Sequence, residues 1–434
     1  MTDPLSPAAS VEADGPGTDM SRHNTRVREP RSYVAALALS YFGSYLALMT
    51  PVMFALAFKL QHITGTTESA TQALGLVAGS GAIVGMIAQP VVGRLSDRTR
   101  SSLGRRRPWL LGGTLVGAAA LGCVGVADTV PLVLVAWCVA QGGFGAALIA
   151  AQATIPDRVP TRRLGLVSGI IGITTPLAIL VGSALVTVLS GDLARFLVPG
   201  LAAIVLAIPL LALLEDPPLQ GTPPPYGVRE FVSSVAFDPR AHPNFSWVMA
   251  SRFLVMFGYA GIGTFFPFFL GERFHLGETD VAQAILVVNV VAVVCLSLSA
   301  PIGGIVSDRI GKRRPFVAVA GLIMAAGLLA LALAPSLAVV VVAQGIIGLG
   351  LGAFMSVDQA LAVQVLPNPD DNAKDLGLLA LAGTLPQSVG PAIAPVVIGL
   401  GSATSLGGYA AWYILGALAS LAGALAIYRV RAVR

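Results

Sequence analysis

Two formal charges stand inside stretches that should carry none. Arg252 lies about eight residues into an apolar run that begins near Asn244, and Asp358 about eight or nine residues before another run ends at Pro367. At 1.5 Å per residue, each sits roughly 12 Å inside the same end of its helix. A lone charge deep in a membrane-spanning helix costs about 2.5–3.5 kcal/mol on the most lenient scale, so such residues pair or face a water-filled space. Equal depth allows Asp358 and Arg252 to pair. A carboxylate beside a cation can exchange a proton when a conformational change alters the pairing, which makes Asp358 the candidate for ion coupling. The plainer alternative is a static pair that fastens one helix to the other.

Other polar side chains recur at helical spacing. Tyr41, Ser44, Tyr45 and Leu48 share one helix face, and Gln141 and Gln152 align three turns apart. Tyr259 follows Arg252 by two turns, while Ser356 and Gln359 extend the polar patch around Asp358. Aromatic rings, amides and a charge pair suit a polyhydroxylated ligand, through stacking and hydrogen bonds, and equally an amphipathic drug. Each such residue could instead hydrogen-bond a neighbouring helix within one bundle. No nucleophile stands with a base and no acids pair, and Cys123, Cys138 and Cys295 lie in apolar runs without metal-ligand spacing. The residues point away from an enzyme, a disulfide framework and a metal site. His62 reads as a surface histidine.

The elements that must position these residues follow from composition. The 434 residues are 55% apolar and 11% charged, against about 25% charged in soluble domains. Apolar stretches of the ~20 residues needed to cross a bilayer begin near Ser32, Ala70, Pro108, Val130, Leu164, Ala194, Asn244, Val281, Pro315, Leu337, Leu376 and Tyr409. They are too long, and too little alternating, for barrel strands. Lys and Arg concentrate in the tails, the central linker and the loops at 94–107, 158–163 and 309–314; the opposite side holds only Lys59, Arg195 and Arg273. Both termini are therefore expected in the cytoplasm. The basic residues sit in short loops as topology determinants, which excludes nucleic acid as an expected partner.

The expected organisation is a disordered cytoplasmic tail (1–30), a six-helix bundle (31–214), a proline-rich cytoplasmic linker (215–243), a second six-helix bundle (244–431) and a short tail (432–434). The halves echo each other. Pro90, Gly93, Ser96, Asp97 and Arg98 map at one constant offset onto Pro301, Gly304, Ser307, Asp308 and Arg309, and GRRRP from Gly104 maps onto GKRRP from Gly311. Transporters built from such repeats hold substrate between them and rock one against the other. In each loop the acid can meet a helix N-terminus and a nearby arginine, while Arg105 to Arg107 can meet anionic headgroups at about 1 kcal/mol each. The bland alternative makes the whole loop a topogenic anchor. The repeat fails at Asp358, whose counterpart is Ala151.

A Gly-x-x-x-Asp-Arg signature after the second span, repeated after the eighth in a six-plus-six chain, resembles the major facilitator superfamily of secondary transporters. The resemblance covers the chain after about residue 30. QPVVGRLSDRTRSSLGRRRP, Thr50-Pro51 and DLGLLALAGTLPQ (Asp375 to Gln387) are similar to stretches of sucrose and related glycoside:cation symporters. This resemblance implies an all-α membrane fold of two pseudo-symmetric six-helix bundles, with a cavity lined by the first, fourth, seventh and tenth spans. It also implies gating by Gly93, Asp97 and Arg98 and by Gly304, Asp308 and Arg309, with Asp97 a latch of the outward-open state.

The expected function is secondary active transport by alternating access: proton-coupled symport of a sugar or glycoside, coupled through Asp358 and Arg252. Tyr41, Tyr45, Gln141, Gln152, Tyr259 and Gln359 are the expected cavity residues. Proton-antiporting efflux of drugs or metabolites is one alternative, and a non-transporting membrane scaffold or sensor another. No cofactor is expected; the proton gradient is the expected drive, with sodium the other ion open to it. The expected partners are a small-molecule solute and the lipid bilayer, and the chain is expected to act as a monomer in the plasma (inner) membrane.

Overall fold

The computed structural model describes residues 31–160, 163–216, 239–260, 262–365 and 372–430. Both tails and most of the expected linker fall outside this set. Within it, twelve helices are long and apolar enough to cross a membrane: α1 (Ser32–Thr64), α2 (Thr67–Arg98), α3 (Arg107–Val126), α4 (Val130–Ile155), α5 (Leu166–Val188), α6 (Asp192–Leu213), α7 (Pro243–Phe274), α8 (Glu278–Ser307), α9 (Arg313–Ala332), α10 (Leu337–Asp358), α11 (Leu381–Ser402) and α12 (Gly408–Arg429). No strand occurs among the described residues. Helix is the economical solution in hydrocarbon, because it satisfies every backbone N–H and C=O within its own segment.

Local chemistry sets several of the boundaries. Thr66 caps α2, its hydroxyl accepting from the Ser69 amide at 3.3 Å. Prolines occupy the first turns of α3, α4 and α7, where the missing N–H costs nothing.

The two halves pack pair for pair. In the first, α1 meets α5 and α6, α2 meets α4, and α3 meets α4 and α6; in the second, α7 meets α11 and α12, α8 meets α10, and α9 meets α10 and α12. The halves join through α2 against α11 and α5 against α8, which is again a symmetric exchange. The helix prolines fit this seam: Pro391 and Pro395 of α11 press on Gly75 of α2, leaving no space there for a Cβ.

The first helix of each half is interrupted. A π-helical turn occupies Pro51–Ala55 in α1, and α7 breaks at Ala260, whose backbone is extended, before resuming at Ile262. The interruptions face each other, with the Met53 thioether filling the space where Gly263 lacks a side chain. Such departures from regular helix recur at functional sites.

Candidate functional site

Asp358 and Arg252 meet. Arg252 Nη1 lies 3.2 Å from Asp358 Oδ2, with 2% of the acidic side chain exposed and 19% of the basic one. The other carboxylate oxygen, Oδ1, is buried with no partner among the described residues. Gly383 of α11 makes room for the guanidinium, since a Cβ there would stand 3.2 Å from Nε. Three helices thus build the pair: α10 supplies the acid, α7 the base and α11 the gap. At the corresponding place in the first half, Ala151 is buried in a cluster with Tyr33 and Tyr41. The Gln359 side chain lies outside the described residues.

Further along α7, roughly 10 Å from Arg252 by helical rise, a cavity of about 70 Å³ lies between the halves. Met53, Phe54, Pro176 and Ile179 line it from the first half, while its polar groups, Tyr259, Asn289 and Gln344, all come from the second. Asn289 Nδ2 is buried without a partner among the described residues. Among the described residues, no charged side chain lines this cavity. Its volume is far below the ~300–1,000 Å³ of small-molecule sites, so it admits water but no sugar-sized solute in this conformation.

Of the expected cavity residues whose side chains are described, only Tyr259 lines this space. Tyr41 is buried in the core of the first half, its ring centroid 6.1 Å from that of Tyr45, and the Tyr45 hydroxyl bonds Thr175 of α5. Gln141 packs on α2, its side chain filling the space beside Gly81 and Gly85. Gln152 is exposed on α4. Asn289 and Gln344 were not singled out in the sequence, because a lone amide in an apolar run has no periodic companion to mark it.

The first basic loop is tied down more tightly than an anchor requires. Arg106 Nη2 lies 2.6 Å from Asp97 Oδ1, and its Nη1 donates to Ser96 Oγ at 2.7 Å. Arg106 is buried, so it is not a headgroup contact; that expectation is corrected by its inward partners. The acid that meets a helix N-terminus is Asp216, not Asp97. Its Oδ2 accepts from the Arg107 amide at 2.8 Å and from the Arg106 amide, at the end where unpaired N–H groups favour an anion. Gly104 permits this: its φ is +99°, and a Cβ would collide with Asp216. Asp216, expected in the linker, is thus fixed to the first half.

The motif glycines are not sites of tight helix crossing. A Cβ on Gly93 would meet Ile149 at 3.7 Å and one on Gly304 would meet Ser356 at 3.9 Å, both ordinary contacts. The tight crossing falls one residue earlier, at Gly303, where a Cβ would come 3.2 Å from the Ala353 backbone. Arg98 is half-buried and Arg309 exposed; the Asp308 side chain lies outside the described residues.

Comparison with known proteins places this geometry. Over 92% of its length the chain superposes on a variant of the nucleoside transporter NupG (TM-score 0.71, 13% identity, 99% of that chain). It does so equally on a D-xylose-proton symporter (0.66, 16%, 96%) and on an inward-facing bacterial homologue of the lysosomal transporter Spinster (0.69, 16%, 95%). At such identities the likeness concerns the fold. An uncharacterized symporter of Synechocystis sp. is 42% identical over 64 residues, 15% of this chain. A general alpha-glucoside permease of Schizosaccharomyces pombe is 30% identical over 106 residues, 23% of this chain. These matches span only 11% and 17% of the two relatives' own lengths. The model of the Major Facilitator Superfamily matches residues 37–299 and 281–434. The chain therefore belongs to that superfamily, as a multi-pass membrane transporter rather than an enzyme.

Proposed function

We propose that the protein moves a neutral, hydroxylated solute, a sugar or glycoside, together with protons, by alternating access. The observation that carries this reading is the divided state of Asp358, with one oxygen on Arg252 and the other buried without a partner among the described residues. A buried carboxylate with half its acceptors unmet sits in a costly position. Uptake of a proton at Oδ1 relieves that cost and frees Arg252 to shift, which links proton binding to movement of α7 against α10.

The cavity's polar groups support this choice of solute class. Tyr259, Asn289 and Gln344 offer hydroxyl and amide groups and no charge, which favours a neutral ligand rich in donors and acceptors. The short likenesses to a symporter and a glucoside permease are in keeping with that choice. The apolar wall formed by Met53, Phe54 and Ile179 favours a second reading, proton-driven export of an amphipathic compound. Basic loops at 94–107 and 309–314 favour cytoplasmic termini in the plasma membrane, and a monomer suffices for a cavity built by one chain.

Purified protein in vesicles, offered labelled sugars and glycosides under an imposed pH or sodium gradient, separates these readings. Accumulation driven by the pH gradient supports the proposal. Accumulation of none, with efflux of a lipophilic cation, overturns it for export, and drive by sodium alone removes the proton from it.

A further inference from the structure

At the end away from the chain termini, charges from three helix ends converge. His62 stands in the last turn of α1, Asp192 and Arg195 open α6, and Glu278 opens α8. Glu278 alone belongs to the second half. Arg195 Nη1 bonds Glu278 Oε1, and His62 Nε2 lies 2.9 Å from Glu278 Oε2. The opposite ring nitrogen of His62 is 3.1 Å from Asp192 Oδ1. Lys59 Nζ is 3.2 Å from Asp192 Oδ2 and donates to the Gly125 carbonyl at 3.0 Å. His62, exposed as expected of a surface histidine, also bridges the two halves.

This arrangement is built, not incidental. Lys59 and Arg195 are both buried, although a surface cation ordinarily reaches for water. Arg195 is held on every side: Nε donates to the Leu189 carbonyl at 3.1 Å, and its guanidinium lies over the Phe58 ring at 5.2 Å. Both Glu278 oxygens are engaged from the first half. Lys59 and Arg195 are also two of the three cations on this sparsely charged side. Nearby, Thr71 of α2 and Tyr409 of α12 join hydroxyls across the halves at 2.8 Å.

We infer that Glu278, gripped by Arg195 and His62, is an ionic latch that holds this end of the transporter closed. Any rocking that parts the halves here must pull Glu278 out of both contacts, and it leaves Arg195 without its counter-ion. Ion pairs that lose one partner in a buried setting are costly, whereas exposed ones matter little. With Glu278 half-buried and Arg195 buried, removing the charge shifts the open-to-closed ratio about tenfold, between those limits. The inference rests on the superfamily's alternating access and not on the identity of solute or ion.

The test is a distance measurement on the purified full chain. With Cys123, Cys138 and Cys295 replaced by serine, spin labels go on Thr129→Cys and Ser405→Cys, exposed loop positions of the two halves at this end. The parent protein is expected to show a dominant short distance. Glu278→Gln is expected to raise the ratio of long to short distances about tenfold, with Asp280→Asn, in the same first turn of α8, leaving it unchanged. Arg195→Gln, made from the opposite half, reports on the same link if its melting transition stays cooperative. A Glu278→Gln distribution matching the parent overturns the latch. So does an equal shift in Asp280→Asn, which would reveal a general charge effect, or a parent with no short population.

Discussion

Asp358 gives one carboxylate oxygen to Arg252 at 3.2 Å and keeps the other buried without a partner among the described residues. That half-met acid separates two kinds of consequence. Its pairing with Arg252 concerns how the second half holds together, and its open oxygen concerns what the site can bind.

The first consequence is one of stability. Arg252→Met strands the Asp358 charge, and is expected to destabilise the protein by roughly 3 kcal/mol. The double variant Arg252→Met with Asp358→Leu is expected to recover most of that loss, since replacing both partners removes the uncompensated charge. Melting temperatures in detergent check both. Recovery of stability without recovery of proton-driven transport separates fastening from coupling.

The cavity makes a prediction about affinity. Asn289→Leu and Gln344→Leu each remove an amide from the cavity wall of the second half and are expected to raise the half-saturating solute concentration about tenfold or more, with the maximal rate less affected. Uptake kinetics at saturating drive give the answer. An unchanged half-saturation in both variants would move the solute site elsewhere.

The capped loop makes a third. Gly104→Ala forces a side chain onto a φ of +99° and against Asp216, and Asp216→Ala removes the carboxylate from the start of α3. Each is expected to cost about 1–2 kcal/mol, seen as a lower melting temperature. Because they act on one contact, the double variant is expected to fall short of the sum.

Arg106 and Asp97 supply a fourth. Their pair is buried on the basic side and 57% exposed on the acidic side, so solvent screening limits its strength. A double-mutant cycle of Arg106→Ala with Asp97→Asn is expected to give a coupling of about 1 kcal/mol. Zero coupling would leave Ser96 as the contact that holds the Arg106 guanidinium inward.

Much of this was legible in the sequence because hydrocarbon imposes length. The start of each span could be read from apolar runs, since a helix must cover the bilayer. Asp358 and Arg252 could be matched by depth, because charges at equal depth in a costly medium seek each other. Asn289 and Gln344 could not: one amide per helix carries no period, and only packing decides which amides face the seam. Tyr41 and Gln141 show the converse: each shares a face with polar neighbours on its own helix, Tyr45 and Gln152, yet packs within its own bundle. Asp216 was hidden by its prolines, which read as linker. The Glu278, Arg195 and His62 contacts join residues far apart in the chain. The available signal was that the sparse side's few cations stand beside acids that open α6 and α8.

The central claim is that Asp358 couples proton movement to solute movement, and Asp358→Asn tests it most directly. In vesicles with the solute found by gradient-driven screening, accumulation under an imposed pH gradient is compared with exchange of labelled for unlabelled solute at equal pH. The account predicts that Asp358→Asn loses accumulation while exchange continues. A variant that accumulates solute as the parent does, with the same dependence on the imposed gradient, would contradict it.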